Sequence, residues 1–281
     1  FGVVQANVDS VSKSYWIYNT GNAPLTLSNF RVTTVYNTQF NITPPTSLVV
    51  APGDSAFFTV EYKPIAAGTH GRTTGGNGVC VAAFDTDDGN EPTYDFRISG
   101  AATADPAFDC SSGRMIFSHR GGDGRTDLKE WHYATQPPTL STVSNALGWG
   151  YDGMGMNPND NYIYAMRYNG GSRHQLWAFS STGLATFCGY VSGGGITSGM
   201  AAHAGGGAMD NNNNLYTLHN ADATTSLNKI NVKSQQATLI TLSSPVHARS
   251  AIYNPTDGLL YAMSAGATND GLVSIDPSNG N

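Results

Sequence analysis

Charged side chains are scarce in this 281-residue chain, at 12% of the total, so any pair able to do acid–base chemistry should be easy to find. Glycoside hydrolysis needs two carboxyl groups flanking one bond. The chain has only three Glu (Glu61, Glu91 and Glu130), which leaves Asp152 and Asp210 as the pair beside segments that read as inner strands. A turn role is the plainer reading of each Asp. His203 and His247 also precede such segments, and they could meet the two Asp residues around a shared channel. Their spacing matches no two-His helix motif and no tight metal-ligand pattern, so the expectation is no catalytic residue, no cofactor and no metal. Trp149, in the glycine-flanked Leu147-Gly148-Trp149-Gly150, is the best candidate for an exposed contact such as sugar stacking. Trp131 and Trp177 occupy equivalent repeat positions and read as core.

Asp85, Asp87 and Asp88 before Gly89 resemble half of a calcium loop, in which alternate carboxylates point at one ion. No bidentate Glu closes the twelve-residue loop, because Phe96 stands there. The alternative is a hairpin tip whose Asp and Asn residues tolerate left-handed backbone. Three cysteines, Cys80, Cys110 and Cys188, cannot all pair internally. A Cys110–Cys188 disulfide tying two repeats together and a set of reduced thiols both remain open. No Gly-x-Ser-x-Gly elbow, phosphate loop or dinucleotide fingerprint is present. The formal net charge is −6 with no basic stripe, which argues against nucleic acid. No apolar run approaches the roughly 20 residues that span a bilayer.

The elements that would position these residues are strands. Asn157-Pro158-Asn159-Asp160-Asn161-Tyr162-Ile163-Tyr164-Ala165-Met166 returns as Asn254-Pro255-Thr256-Asp257-Gly258-Leu259-Leu260-Tyr261-Ala262-Met263, with a weaker copy from Met209 to Leu218. Tyr164, Tyr216 and Tyr261 stand 52 and 45 residues apart, a period that suggests propeller blades whose repeat Tyr and Met residues, Met166 and Met263 among them, fill the core between sheets. Four blades follow, with paired strands at 115–117 and 128–131, 162–166 and 176–179, 215–218 and 227–230, and 259–263 and 272–275. The segments ahead of the last three (Gly153–Met156, Gly205–Ala208 and Ser250–Ile252) are rich in small residues. Strands crowd toward a propeller axis, so these should be innermost. Blade four lacks an outer strand, so the propeller reads as incomplete and the sequence as a slice of a longer protein. A neighbouring subunit that donates the strand is the alternative.

Residues 1–104 read differently. Tyr15-Trp16-Ile17-Tyr18 stops at the turn cluster Asn19-Thr20-Gly21-Asn22, Phe57–Tyr62 alternates, and roughly seven short strands at turn spacings near ten residues describe an immunoglobulin-like sandwich. Ile17–Leu25, Phe57–Tyr62 with Pro64 and Gly68, and Ile98-Ser99-Gly100 resemble the Hydin-type, or choice-of-anchor D, immunoglobulin-like domain. That resemblance implies a spacer or assembly module without catalysis. The insertion Gly71–Gly78 departs from the family pattern and should form a loop. Asn41-Ile42-Thr43 matches a glycosylation acceptor, weakened by Pro44. Ala101–Ala107 reads as a boundary. Residues 105–281 resemble uncharacterised bacterial secreted propeller-like repeats.

The whole is therefore expected to be all-β: an immunoglobulin-like sandwich over 1–104, then a partial propeller of about four blades over 105–281. The expected function is that of a non-enzymatic extracellular or cell-surface protein, a segment of a bacterial adhesin, appendage or filament subunit. Its partners would be other subunits, further domains of the same chain, or surface glycans. A secreted sugar-binding or glycan-processing propeller is the alternative.

Overall fold

The computed structural model describes the chain apart from residues 34–36, 72–78, 110–113, 121–124, 145–148, 169–173, 195–203, 220–223 and 265–270. Residues 72–78 of the insertion expected as a loop, Cys110 and His203 therefore lie outside the described residues. The fold is all-β, with one 3₁₀ turn at Asn37–Gln39 among the described residues. The chain divides into two compact units, Phe1–Ala104 and Asp105–Asn281.

In the first unit the strands are β1 (Val3–Gln5), β2 (Val11–Tyr18), β3 (Leu25–Thr33), β4 (Phe40–Thr43) and β5 (Val49–Val50). They continue with β6 (Ser55–Tyr62), β7 (Gly68–His70), β8 (Cys80–Thr86), β9 (Thr93–Ile98) and β10 (Gly100–Thr103). One sheet runs β2-β6-β4, a second β5-β3-β8-β9, and a small third β1-β10-β7. The alternation along β6 explains the layering. Phe58, Val60 and Tyr62 are buried, and they share one core with Leu27, Ala82, Phe84 and Ile98 of the second sheet. Each such large apolar side chain contributes about 1.5–3 kcal/mol when removed from water. Asn19 ends β2 as the turn cluster suggests. Its amide donates to the Ala23 and Val50 carbonyls at 2.8 and 2.9 Å, and its Oδ1 accepts from Gly21 N–H at 3.0 Å. Within the core, the Tyr62 hydroxyl lies 2.6 Å from His70 Nδ1, and burial pushes the histidine below its ordinary value of 6.5.

The second unit is a chain of meanders. The first sheet is β11 (Arg114–Arg120), β12 (Thr126–His132) and β13 (Thr139–Ser144). The second is β14 (Gly150–Met156), β15 (Ile163–Tyr168), β16 (Gln175–Phe179) and β17 (Ala185–Tyr190). The short β18 (Ser192–Gly193) then crosses to join the third sheet, which is made of β19 (Ala204–Met209), β20 (Asn214–His219), β21 (Thr224–Asn231) and β22 (Gln236–Val246). The fourth is β23 (Ala248–Tyr253), β24 (Leu260–Ser264) and β25 (Gly271–Ile275). The first and fourth sheets thus have three strands each among the described residues.

Small residues let the inner strands meet backbone to backbone. A Cβ on Gly155 of β14 would stand 2.7 Å from Met209 Cγ, and one on Gly206 would stand 2.8 Å from the Ser250 carbonyl carbon. A Cβ on Gly207 would land on Gly153 C and Met154 N. The small-residue segments are therefore where β14, β19 and β23 abut. Apolar cores fill the space between sheets: Leu128, Tyr151, Ile163, Ala165 and Phe179 in the first half, and Tyr216, Leu218, Leu227, Leu260 and Ile275 in the second.

A second contact recurs between sheets. The turn after the third strand of the second and fourth sheets rests on the outer edge of the sheet before it, and that of the third sheet rests on β18, the strand that crosses over from the second. Gly183 (φ +81°) sits where a side chain would strike the Val143 carbonyl of β13. Gln235 (φ +56°) accepts from Ser192 N–H at 3.0 Å, and Gly280 (φ +84°) accepts from Ser243 N–H of β22 at 2.8 Å. All three occupy the left-handed region, which favours Gly and tolerates few other residues. The first and last of these turns were recognisable as Thr-Gly and Asn-Gly pairs.

Two expectations are corrected by this packing. Trp131 is not core: it is 40% exposed, against Tyr133, because β12 lies in a three-stranded sheet that leaves that face open. Met263, expected to fill the space between sheets as Met166 does, is 59% exposed on β24.

Candidate functional site

The turns that open the second strands are built from the repeat's own polar residues. In the second sheet Asn157 donates to Asp160 Oδ2 at 2.8 Å, Tyr162 N–H donates to Asp160 Oδ1 at 3.1 Å, and the Tyr164 hydroxyl donates to Oδ2 at 2.9 Å. Asn254, Leu259 and Tyr261 repeat the arrangement around Asp257 at 2.8, 2.9 and 2.8 Å. In the third sheet Asp210 takes the central place. It accepts from Asn212 N–H, Asn214 N–H, Asn214 Nδ2 and the Tyr216 hydroxyl, at 2.8, 2.9, 2.8 and 3.0 Å. Asp210 is 3% exposed, so its carboxylate is spent inside its own turn and is not offered to a ligand.

The same constellation titrates in opposite directions. Burial pushes Asp160 above the usual carboxylate range, even though three hydrogen bonds favour its charged form. Asp257 is exposed, and the backbone N–H of Leu259 together with its other donors holds it below that range. Asn213 and Asn211 of the third sheet cover the second sheet's turn, through Asn157 Nδ2 to Asn213 Oδ1 at 3.1 Å and Asn159 Nδ2 to the Asn211 carbonyl at 2.8 Å.

Where the inner strands end, they leave an open cavity of about 310 Å³. Its walls are Ile116, Met154, Met156, Met209, Ile252 and Tyr253, over a floor of Gly155 and Gly207. Asp152, Asp210 and His247 are not among its lining residues. Among the described residues the lining offers no carboxylate, imidazole or thiol for acid–base or nucleophilic work. Its side chains are mainly aliphatic and thioether, of the kind that adapts to another surface, while polar atoms make up at least as much of the exposed wall.

Trp149 is half-buried. Its ring meets Trp177 at 4.8 Å and Tyr151 at 5.9 Å, and the Arg167 guanidinium lies 4.9 Å from its centroid. Gln175 Oε1 ties this group together by accepting from Arg167 at 3.0 Å and from Trp177 Nε1 at 3.2 Å. A stacking ligand would have to displace Arg167. Asp85 is engaged by Asn29, Arg31 and Thr93, Asp87 by Thr26 N–H, and Asp88 by Asn90 N–H. These bonds belong to a hairpin tip. Among the described residues no three His, Cys, Asp or Glu side chains converge as metal ligands. Cys188 is buried, with Sγ 3.6 Å from the Thr186 carbonyl, and its expected partner Cys110 lies outside the described residues.

Three aromatic side chains that the sequence reading treated only as strand formers stand in the open. Trp16, Tyr18 and Phe57 are 57%, 67% and 51% exposed on the outer face of the β2-β6-β4 sheet. The available signal was that Tyr15-Trp16-Ile17-Tyr18 is apolar on both faces, so a strand with one face in the core must present the other pair to solvent. On the inner side, a cleft of about 280 Å³ between β2 and β9 is walled by Tyr15, Phe58, Phe84, Tyr94 and Phe96.

Sequential meander sheets with abutting inner strands define an all-β, propeller-like repeat protein. Residues 117–281 match the family described as "Repeat of unknown function (DUF6923)", and the chain belongs to that family. No curated protein matches the chain. Among solved structures it is similar to a chain of a nidogen/laminin complex, with 11% identity, 60% of each chain covered and a TM-score of 0.43. It is also similar to TolB from Acinetobacter baumannii, with 13% identity, 77% of this chain and 54% of that one covered, and a TM-score of 0.41. A protein of unknown function from Bacteroides thetaiotaomicron aligns over 98% of this chain and 72% of its own, with 12% identity and a TM-score of 0.39. The chain spans less than two thirds of the first two. Such identities say nothing of activity. No described helix is long and apolar enough to cross a membrane.

Proposed function

We propose that this chain is a non-catalytic extracellular protein, a segment of a bacterial surface adhesin, appendage or filament subunit. The observation that carries the reading is the contrast between the turns and the cavity. The turn carboxylates are consumed in repeat architecture, while the open cavity where the inner strands meet presents Met and Ile in place of reactive groups. In this reading residues 105–281 display an interaction surface. Residues 1–104 serve as an immunoglobulin-like spacer or assembly module, which their resemblance to the Hydin-type domain supports.

A direct test incubates the purified 281-residue chain with chromogenic glycosides, esters, phosphoesters and peptides. No turnover above buffer is expected. Turnover that a substitution at Met154 or Met209 abolishes, with the fold intact by circular dichroism, overturns the reading. The alternative, a secreted sugar-binding protein, is favoured by one observation, the exposed aromatic face of the first unit.

A further inference from the structure

We propose that the outer face of the β2-β6-β4 sheet binds a neutral, extended polysaccharide, with Trp16, Tyr18 and Phe57 as its stacking platform. This deepens the adhesive reading and rests on it only for placing the ligand outside the cell.

The strand register builds the platform. Trp16 pairs with Phe57 across β2 and β6, and Tyr18 follows two residues on, on the same face. Their rings form one group: Trp16 to Phe57 at 5.3 Å, and Trp16 to Tyr18 at 6.4 Å and 27° from parallel. The next row across the sheet is Ser14, Thr59 and Thr43, and the row after it Ser12, Glu61 and Asn41. The alternate residues Tyr15, Ile17, Phe58, Val60, Phe40 and Ile42 point into the core, which fixes the orientation of the first set. One face therefore carries aromatic rings at one end and rows of hydroxyl, amide and carboxylate groups at the other.

That combination matches an extended sugar chain, whose rings offer C–H faces to aromatic surfaces and hydroxyls to polar neighbours. Charge narrows the class. Glu61 is the one charged group in these rows, and Lys13, on the opposite side of β2, lies 5.2 Å from the Phe1 ring. Lys63, two residues beyond Glu61 along the chain, is set against the Glu61 carboxylate, so among the described residues the face carries no net positive charge to draw a sulfated or uronic polymer. Size argues against a second copy of the chain as occupant. Aromatic side chains bury roughly 150–250 Å² each, so at these exposures the three present on the order of 400 Å². A stable protein interface needs about 800 Å² per partner, so a second copy would have to bury the polar rows as well as the rings.

The test mixes the full chain with microcrystalline cellulose, chitin and insoluble xylan and measures depletion from solution, with light scattering in parallel. Wild type should be depleted by at least one of them. Trp16→Ala and Tyr18→Ala should each weaken binding about tenfold or more, with an unchanged thermal midpoint. Trp16→Phe should retain most of the binding, and Trp149→Ala all of it. No depletion by any polymer, loss in Trp149→Ala alone, or a Trp16-dependent dimer without polymer binding overturns the proposal. Substrate turnover with binding intact would remove the non-catalytic reading and leave this one standing. Absence of both does the reverse.

Discussion

Tyr164, Tyr216 and Tyr261 each donate a hydroxyl to the Asp of the preceding turn, at 2.9, 3.0 and 2.8 Å. Removing such a bond from a buried carboxylate leaves a charge short of a donor, at about 1.5–3 kcal/mol. Tyr164→Phe and Tyr216→Phe should lower stability by that order in urea melts. Tyr261→Phe should cost less, since water can replace the hydroxyl at the exposed fourth-sheet turn. The pH dependence has opposite signs at two copies of one motif. Asp257 is held low, so its contribution is full at neutral pH and lost as pH falls through its depressed value. Asp160 is pushed up, so its contribution is full in acid and lost as pH rises through its elevated value. Relative to wild type, Asp257→Asn should therefore be most destabilising at neutral pH and Asp160→Asn most destabilising in acid. Parallel urea melts across the carboxylate range check this. The turn role of these Asn and Asp residues was legible in the sequence. The tyrosine bond was not, because an apolar strand pattern treats Tyr as filler and is silent about where its oxygen points. Exposure was misjudged for a related reason: Trp131 and Trp177 match in sequence, yet the strands around them differ.

At the scale of elements, the small-residue segments carried the most information. Their composition implied close strand approach, and β14, β19 and β23 do abut through glycines. Gly207→Ala should be strongly destabilising, by about 1–3 kcal/mol as overpacking typically is, because the new Cβ would meet backbone that cannot step aside. Gly194→Ala, with nothing within 4 Å of the added carbon, is the matched control and should leave the thermal midpoint unchanged. In the first unit, His70 is held below 6.5, so its contribution is full above that value and lost as pH falls through its depressed one. His70→Gln should flatten that acid limb. What the sequence could not give at this scale was the wall of the cavity. Proximity in a strand pattern does not say which side chains share a wall, and the cavity wall is made by the residues two to four positions beyond Asp152.

For the repeats as a whole, three of the four meanders were legible from the tyrosine period, because those three copies share the same turn. The joints between copies were not, since each depends on a carbonyl some 40 residues away that no local pattern marks. Gly280 shows what such a joint does. Gly280→Val should expose the Ser243 amide, which now donates to the Gly280 carbonyl at 2.8 Å, and hydrogen exchange at that amide should accelerate before the rest of β22. A joint of this kind has direction: the turn at the end of the third strand of the second and fourth sheets seats on the outer edge of the sheet before it. A repeat inside the run is thus both plug and socket, with the two at opposite ends. A duplicated segment of the gene, spanning one full sheet, would arrive with both fittings already matched to its neighbours. Chain length in such a protein can change by whole repeats at little structural cost, while a change of half a repeat strands one fitting without its mate.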